Sequence, residues 1–315
     1  MHILFADLES VSEDLVHNGI RRTTSRAYST AQKQFLQFCQ ALRLQPLPTT
    51  EQTLLTYVAY LYKKGLTPNS VNVYLSAVRN LNIVNGFAMS EFRTPRIKLA
   101  TKAILERSKA PVQKVPLTFD KLMTLWPVIK NCKYALTWKA VISLAFFGGL
   151  RCAEYTPSAE CPLGPTVDQV QFSADSKVLL YSVKKFKTKV HGFVCRLGCS
   201  KSEICARCNM IQYLFSRNKQ AGIQNSDPLF LLDNMPVSSE KVNKFMKSIV
   251  KSVGWDVAEY SAHSLRAGAA STAARAGFSD WELKALGGWK SATYMEYIRD
   301  NTKHTDKFPR RMARV

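Results

Sequence analysis

The chain has 315 residues, 46% of them hydrophobic, which is enough for two domains of ordinary size and excludes a fully disordered protein. Its 44 basic residues against 23 acidic ones give a net charge of +21, which favours a polyanion such as nucleic acid as the ligand. No apolar run approaches the roughly 18 residues that span a bilayer, and the N-terminus lacks the basic start of a secretory signal. We therefore expect an intracellular protein without a membrane partner.

Helical patterns dominate the first third of the chain. After an N-terminal extension (1–17), residues 18–105 are predicted to form a small helical bundle. One of its helices stops at Gly65, and the next begins near Pro68 and ends at Gly86. The basic residues of this bundle that we consider candidates for nucleic-acid contact are Arg21, Arg22, Arg26, Lys63, Lys64 and Arg79.

A linker is predicted over 106–117, which carries two prolines and several charges. A second domain, 118–300, then begins with Thr118 as a helix N-cap. It is mostly helical, but two β-type runs, 177–183 and 191–197, flank a lysine-rich connection and predict a hairpin. The tail, 301–315, is basic. The predicted fold is therefore mainly α with a small antiparallel sheet.

Two short motifs in this second domain combine charged residues at helical spacing. In "GGLRCAEY" (148–155), Glu154 comes three residues after Arg151, within reach of its guanidinium if the chain turns. In "AHSLRAGAAS", His263 and Arg266 are also three residues apart, and small residues follow that would let a helix or a DNA backbone approach closely. Each motif alone could be an ordinary pair of residues at a helix end.

Lysines crowd the connection of the predicted hairpin. Lys184, Lys185, Lys187 and Lys189 lie within "KKFKTKV". Lysines at a strand edge also protect proteins against aggregation, so this cluster alone does not distinguish a functional from a protective role.

The order of these motifs, followed by "LGGW" and "YMEYIR", resembles the tyrosine recombinase (phage integrase) superfamily over residues 20–300. "GLRCAE" is similar to its first arginine box and "HSLRAGAAS" to its His-x-x-Arg box. The sequence of the C-terminal motifs most resembles that of the recombinases of eukaryotic mobile elements of the Ngaro, DIRS-like and Crypton groups. The resemblance implies a helical core-binding domain that clamps DNA, followed by a mostly α catalytic domain.

The implied function is site-specific cleavage and rejoining of double-stranded DNA through a covalent 3′-phosphotyrosine, by a homo-oligomer that is typically a tetramer. No cofactor is needed, since the phosphotyrosine conserves the energy of the broken bond. The location would be nuclear in a eukaryote and otherwise cytoplasmic. Two alternatives stay open: a domesticated DNA-binding protein with this fold and no strand exchange, and a type IB topoisomerase-like activity.

The resemblance also implies a role for each motif residue. Arg151 and Arg266 would grip the phosphate oxygens and stabilise charge in the transition state. Glu154 would orient Arg151, and His263 would transfer a proton or donate a hydrogen bond to the phosphate. Trp289 would pack against the helix that carries the nucleophile.

Among the hairpin lysines, we assign protonation of the departing 5′-oxygen to Lys187. Its "FKTK" context is similar to the turn that carries this lysine in the family. Lys184, Lys185 and Lys189 are predicted to contact phosphates without taking part in the chemistry.

Two tyrosines, Tyr294 and Tyr297, compete for the role of nucleophile. At the family's usual spacing from the tryptophan stands Ile298, which cannot react, and Tyr297 lies one residue before it. We therefore assign the nucleophile to Tyr297. Tyr294, one helical turn earlier, is expected to pack beside the site or contact the backbone.

Four cysteines fall close together as C-x3-C-x5-C-x2-C. Cys195, Cys199, Cys205 and Cys208 could form a tetrahedral zinc site, but one pair has unusual spacing and the enclosed loop is short. Buried thiols at a strand end and a helix start explain the same pattern. We favour no metal here.

Overall fold

The computed structural model describes residues 5–87, 92, 94–108, 114–158, 161–184, 192–289 and 291–297. The chain divides into two compact units, Met1–Pro111 and Val112–Val315. Helices dominate both, and the short strands all pair antiparallel, so the predicted mainly α fold is confirmed. None of the helices in the described parts of the chain is both long and apolar enough to cross a membrane.

The first unit is a bundle of helices preceded by α1 (Phe5–His17), whose described side chains are exposed. The helices of the bundle are α2 (Arg22–Ala41), α3 (Glu51–Lys63), α4 (Pro68–Val84) and α5 (Pro95–Arg107). Threonines at 50, 67 and 94 cap α3, α4 and α5 by accepting a backbone N–H three residues on, which satisfies one otherwise unpaired donor at each start. Gly65 and Gly86 follow α3 and α4 with positive φ angles of 74° and 75°, as expected for helix ends.

Aromatic side chains form the centre of this bundle. Phe35 and Tyr57 are fully buried, and their rings meet edge to face at 5.0 Å. Phe38 lies 5.0 Å from the same tyrosine ring. The apolar periodicity of α2 and α3 therefore faces a single core, as the sequence predicted.

The second unit is built from longer helices around a small sheet. Its helices are α6 (Phe119–Lys130), α7 (Ala135–Phe147), α8 (Ala206–Ala221), α9 (Ser239–Ser252), α10 (His263–Arg275) and α11 (Asp280–Gly287). Short 3-10 segments also occur, among the described residues, at Cys152–Glu154, Val167–Gln169 and Ala292–Tyr297. Helix α7 is mostly apolar and most of its residues are buried, so it lies at the centre of the core.

The predicted hairpin is confirmed as β2 (Val178–Val183) and β3 (Phe193–Gly198), which pair antiparallel with Tyr181 opposite Cys195. Its lysine-rich connection, 185–191, lies outside the described residues. Strand β1 (Val170–Phe172) extends the sheet on the far side of β2. The sequence did not predict β1, nor the pair β4 (Leu231–Leu232) and β5 (Met235–Pro236), because two or three residues are too short to show alternation.

The segment before α6 is held against α10. The Val115 amide donates to the Glu259 carbonyl, and the Leu117 amide donates to the Ser264 carbonyl at 2.9 Å. A Cβ at Gly268 would overlap the Leu117 carbonyl, so glycine is required for this close approach. The small residues of α10 therefore admit the protein's own backbone at this point.

Candidate active site

Arg151 emerges where α7 ends. Gly149 has a φ of +55°, which reverses the chain, and the buried Leu150 then fixes the exit from the core. The 3-10 turn that follows brings Glu154 back onto Arg151. One carboxylate oxygen accepts the Arg151 amide at 2.7 Å, and the other accepts its Nη1 at 2.9 Å. The chain thus makes the turn on which the predicted contact depended.

Glu154 and Arg151 differ sharply in exposure. The glutamate side chain is 5% exposed, whereas that of the arginine is 29% exposed. Burial raises the pKa of Glu154, while the hydrogen bonds from Arg151 and the charge of Arg266 oppose that rise. A buried carboxylate therefore holds an arginine whose own side chain is still reached by solvent.

Arg266 has the opposite environment. It is 1% exposed, and its guanidinium donates through Nη2 to the Gly287 carbonyl at 3.0 Å and through Nη1 to the Gly149 carbonyl. The Trp289 ring covers it, with its centroid 4.1 Å from the guanidinium carbon. A fully buried arginine needs such partners, because an uncompensated charge in the interior is costly.

Glycines make this arrangement sterically possible. A Cβ at Gly287 would overlap the Trp289 ring, so the indole can lie over the backbone only at a glycine. A Cβ at Gly149 would come within 3.4 Å of the Gly287 Cα, which shows how closely the two segments approach. The glycine pairs of "GGLR" and "LGGW" thus meet around Arg266.

Tyr294 packs against Trp289. The two rings meet edge to face at 6.1 Å, and the tyrosine is 5% exposed. Its hydroxyl donates to an Asp280 carboxylate oxygen, which raises the pKa of the phenol. Tyr294 is therefore a buried aromatic residue that packs against Trp289. The segment that contains it is a 3-10 helix, Ala292–Tyr297, and the side chain of Tyr297 lies outside the described part of the structure.

His263 opens α10 and is exposed to solvent. Arg266, one turn further along the same helix, is buried. The two residues therefore share a helix but not an environment, although their spacing predicted that they project from one face.

Of the hairpin lysines, Lys184 is the one that the structure describes. Its ammonium lies 2.7 Å from an Asp168 carboxylate oxygen and 3.3 Å from the Thr166 hydroxyl. The hydrogen bond from Lys184 lowers the pKa of Asp168. Lys185, Lys187 and Lys189 lie outside the described residues.

The basic candidates of the first unit all lie on helices or at their ends. Exposed side chains are found at Arg21, Arg26, Lys63, Lys64 and Arg79. The side chain of Arg22 lies outside the described part of the structure.

The four cysteines of the sequence pattern do not come together as one group in the structure. The sulfurs of Cys199, Cys205 and Cys208 all lie within 4.8 Å of one another. Cys195 faces the core instead, opposite the buried Tyr181, and burial raises the pKa of its thiol to about 12. It belongs to the core, as the explanation by buried thiols predicted for this position.

Sequence reasoning missed the groups that accept hydrogen bonds from Arg266. It also missed Asp280, which accepts a hydrogen bond from the Tyr294 hydroxyl. The acceptors from Arg266 are the backbone carbonyls of Gly149 and Gly287. Every backbone residue carries a carbonyl, so no side-chain pattern could have identified them. The paired glycines were the available signal, since they mark places where backbones can approach closely.

The amino-acid sequence of this chain is similar to those of known integrases and recombinases. The sequence model of the phage integrase family matches residues 116–304. An integrase/recombinase xerD homolog of Selenomonas ruminantium is 24% identical over 265 residues, covering 80% of this chain and 74% of that protein.

Solved structures share the fold at low identity. The Tn1549 transposon integrase in complex with transposon right end DNA is 16% identical, with 96% of this chain and 97% of that chain covered and a TM-score of 0.65. The lambda integrase dimer bound to a COC′ core site is 17% identical, with 96% and 79% covered and a TM-score of 0.59. Both likenesses concern the fold, and they extend over nearly the whole chain described here.

Proposed function

The chain belongs to the phage integrase family, and from that membership we propose that it cleaves and rejoins double-stranded DNA at specific sites. The observation that carries the proposal is the convergence of Arg151, Glu154, Arg266 and Trp289 around one pair of glycine turns. Arg151 and Glu154 are far from Arg266 and Trp289 in the sequence, and an ordinary ion pair at a helix end would not need all four residues. The DNA complexes of the transposon and lambda integrases support the same ligand.

Arg151 supplies the first contact to the scissile phosphate. Glu154 accepts one hydrogen bond from the Arg151 guanidinium and another from the Arg151 backbone amide, so the direction of the guanidinium is set before DNA arrives. A preorganised cation is worth more to the transition state than one that must be ordered during the reaction. Guanidinium also matches the geometry of a phosphate through paired N–H donors.

Arg266 supplies the second contact to the phosphate after a local conformational change. Its guanidinium is buried and donates to two carbonyls, so it reaches a phosphate only when the segment around Gly287 moves. Negative charge on the phosphate compensates for the carbonyl contacts that are lost. DNA binding and assembly of the site are therefore coupled events.

The chemical step transfers the phosphoryl group at the cleavage site from the DNA 5′-oxygen to a tyrosine of the protein. The Tyr297 oxygen attacks phosphorus, the bond from phosphorus to the 5′-oxygen breaks, and a 3′-phosphotyrosine forms. His263 accepts the phenolic proton, and Lys187 donates a proton to the departing 5′-oxygen. Attack by the 5′-hydroxyl of another strand reverses these steps and restores a phosphodiester, without an external energy source.

Tyr297 is preferred to Tyr294 as the nucleophile. Tyr294 is buried beside Trp289 and donates its hydroxyl to Asp280, which raises its pKa. A phenol whose ionisation is made harder by a neighbouring carboxylate is poorly suited to attack an anionic phosphodiester.

The partners follow from charge and from family membership. A net charge of +21 and exposed basic residues on the first unit support binding to a long stretch of duplex. The active form on DNA is a homo-oligomer, typically a tetramer in proteins that exchange two duplexes. The amino-acid sequence of the C-terminal motifs supports an origin in a eukaryotic mobile element, with a nuclear location.

Covalent capture tests this function. The full chain is incubated with a pool of nicked duplexes of randomised sequence and then analysed on a denaturing gel. We expect a protein–DNA adduct that is absent in Tyr297→Phe and retained in Tyr294→Phe. DNA that is held by the wild-type chain without any adduct would identify a binding protein with this fold and overturn the proposal.

A further inference from the structure

Three cysteines meet where the sheet passes into α8. Cys199 directly follows β3, Cys205 is the N-cap of α8, and Cys208 lies in the first turn of that helix. The short loop between them returns the chain, with Lys201 at a φ of 54°. The ends of two different elements are thereby brought to one point.

The sulfur positions match the geometry of a tetrahedral metal site. Cys199 Sγ lies 3.8 Å from Cys208 Sγ and 3.8 Å from Cys205 Sγ. Thiolates bound to zinc at about 2.3 Å in a tetrahedron lie about 3.8 Å apart. The same separation is far longer than a disulfide bond, which is about 2.05 Å. All eight cysteines occur as free thiols.

Hydrogen-bond donors surround these sulfurs. The Cys208 amide donates to Cys205 Sγ at 3.4 Å, and Arg207 Nη1 lies 3.8 Å from Cys208 Sγ. Donors of this kind reduce the negative charge of a thiolate cluster and fix the direction of each ligand. The N-terminus of α8 adds a favourable dipole for the same charge.

Cys195 is excluded from the cluster by strand geometry. It lies within β3, opposite Tyr181, and its side chain is 6% exposed. Alternation along the strand directs it into the core, whereas Cys199 has left the strand. A sequence pattern of four cysteines therefore contains a spatial group of three.

We propose that Cys199, Cys205 and Cys208 bind one zinc ion through three thiolates, with the fourth position taken by water or an added ligand. Each thiol releases its proton on binding, so the site carries one net negative charge before the fourth ligand is counted. Thiolates are soft ligands and favour Zn²⁺ over Mg²⁺ or Ca²⁺. The proposal does not depend on DNA cleavage.

The role of this ion is structural. It links the end of β3 to the start of α8, and Arg207 extends that link by donating from Nε to the Ser176 carbonyl at 2.7 Å. Ser176 lies in the turn between β1 and β2. The metal thus anchors the β2–β3 hairpin at the end where Val178 pairs with Gly198.

Metal content of single variants tests the ligand set. The wild-type full chain, purified and supplied with Zn²⁺, is expected to retain about one equivalent after gel filtration. Cys199→Ser, Cys205→Ser and Cys208→Ser are each expected to lose it, while Cys195→Ala and the exposed Cys161→Ser retain it. No retained zinc in the wild type would overturn the proposal, and so would equal loss in Cys195→Ala.

Cobalt substitution covers the case in which a variant fails to fold. The wild-type chain is loaded with Co²⁺, and its absorption and X-ray absorption spectra are recorded. We expect thiolate-to-metal charge-transfer bands and three sulfur ligands. Four sulfur ligands, or an intramolecular disulfide among these cysteines in place of metal binding, would contradict the three-thiolate site.

Discussion

The two arginines of the candidate site are held in different ways. Arg151 is positioned by Glu154, three residues away in the same turn, and stays 29% exposed. Arg266 is positioned by the carbonyls of Gly149 and Gly287, which are 117 and 21 residues away, and is 1% exposed. The first region is local and open, whereas the second is assembled from distant segments and closed.

Because of this difference, the stability of the fold should depend on the two arginines to different degrees, whatever their roles in cleavage. A side chain fixed by its own turn can be removed without disturbing distant segments, because its partner lies in the same turn. A buried cation that bridges two backbone segments supports both of them, and its removal leaves acceptors unpaired in the interior. We therefore expect the two arginines to be equally necessary for cleavage and unequally necessary for stability.

The largest expected effect is that of Arg266→Ala. Loss of the buried guanidinium leaves the Gly149 and Gly287 carbonyls unpaired and should lower the free energy of unfolding by about 3–5 kcal/mol. Arg151→Ala is the comparison variant and should lower it less, by about 1–3 kcal/mol, because Glu154 keeps the hydrogen bond from the backbone amide of that residue. Urea unfolding of the two variants measures the difference, and equal midpoints would show that the comparison is wrong.

Gly287→Ala should disturb the closed region alone. The added Cβ overlaps the Trp289 ring, so the indole must leave Arg266, at a cost of about 1–3 kcal/mol for overpacking. We expect covalent adduct formation to fall together with stability. Gly198→Ala is the control, because a Cβ there meets nothing within 4 Å. An unaffected Gly287→Ala chain would argue against the stacked arrangement.

The smallest effect on stability is expected at the hairpin lysines. Lys184→Ala breaks one exposed ion pair with Asp168 and should cost less than about 1 kcal/mol. Lys187→Ala should abolish cleavage of normal DNA, because the 5′-oxygen leaves unprotonated. A substrate with sulfur in place of that 5′-oxygen should restore cleavage, since a thiolate leaves without protonation.

The sulfur substrate also distinguishes the two lysines. Lys184→Ala, if it removes only a phosphate contact, should be impaired to the same degree on both substrates. Lys177→Ala, in the turn between β1 and β2, should cleave both as the wild type does. Rescue of Lys184→Ala but not of Lys187→Ala would reverse our assignment.

The sequence predicted the elements well where periodicity or capping is strong. The stop of α3 before Gly65, the start of α4 at Pro68, its end before Gly86 and the β2–β3 pairing are all confirmed. Each depends on residues within one turn or one strand of each other, which linear spacing reports directly.

What the sequence could not predict are the contacts between distant segments. The burial of Arg266 depends on where α7 and α11 end relative to α10, and the split among the cysteines depends on the direction in which Cys195 points from β3. Those features come from tertiary packing, which spacing along the chain does not encode.

The measurement that tests the central claim most directly is the position of the covalent bond. The wild-type adduct is digested with nuclease and trypsin, and the peptide of residues 291–299, which holds both tyrosines, is fragmented in a mass spectrometer. We predict a nucleotide remnant on Tyr297 and an unmodified Tyr294. A remnant on Tyr294, or on a residue outside this peptide, would contradict the assignment of the nucleophile.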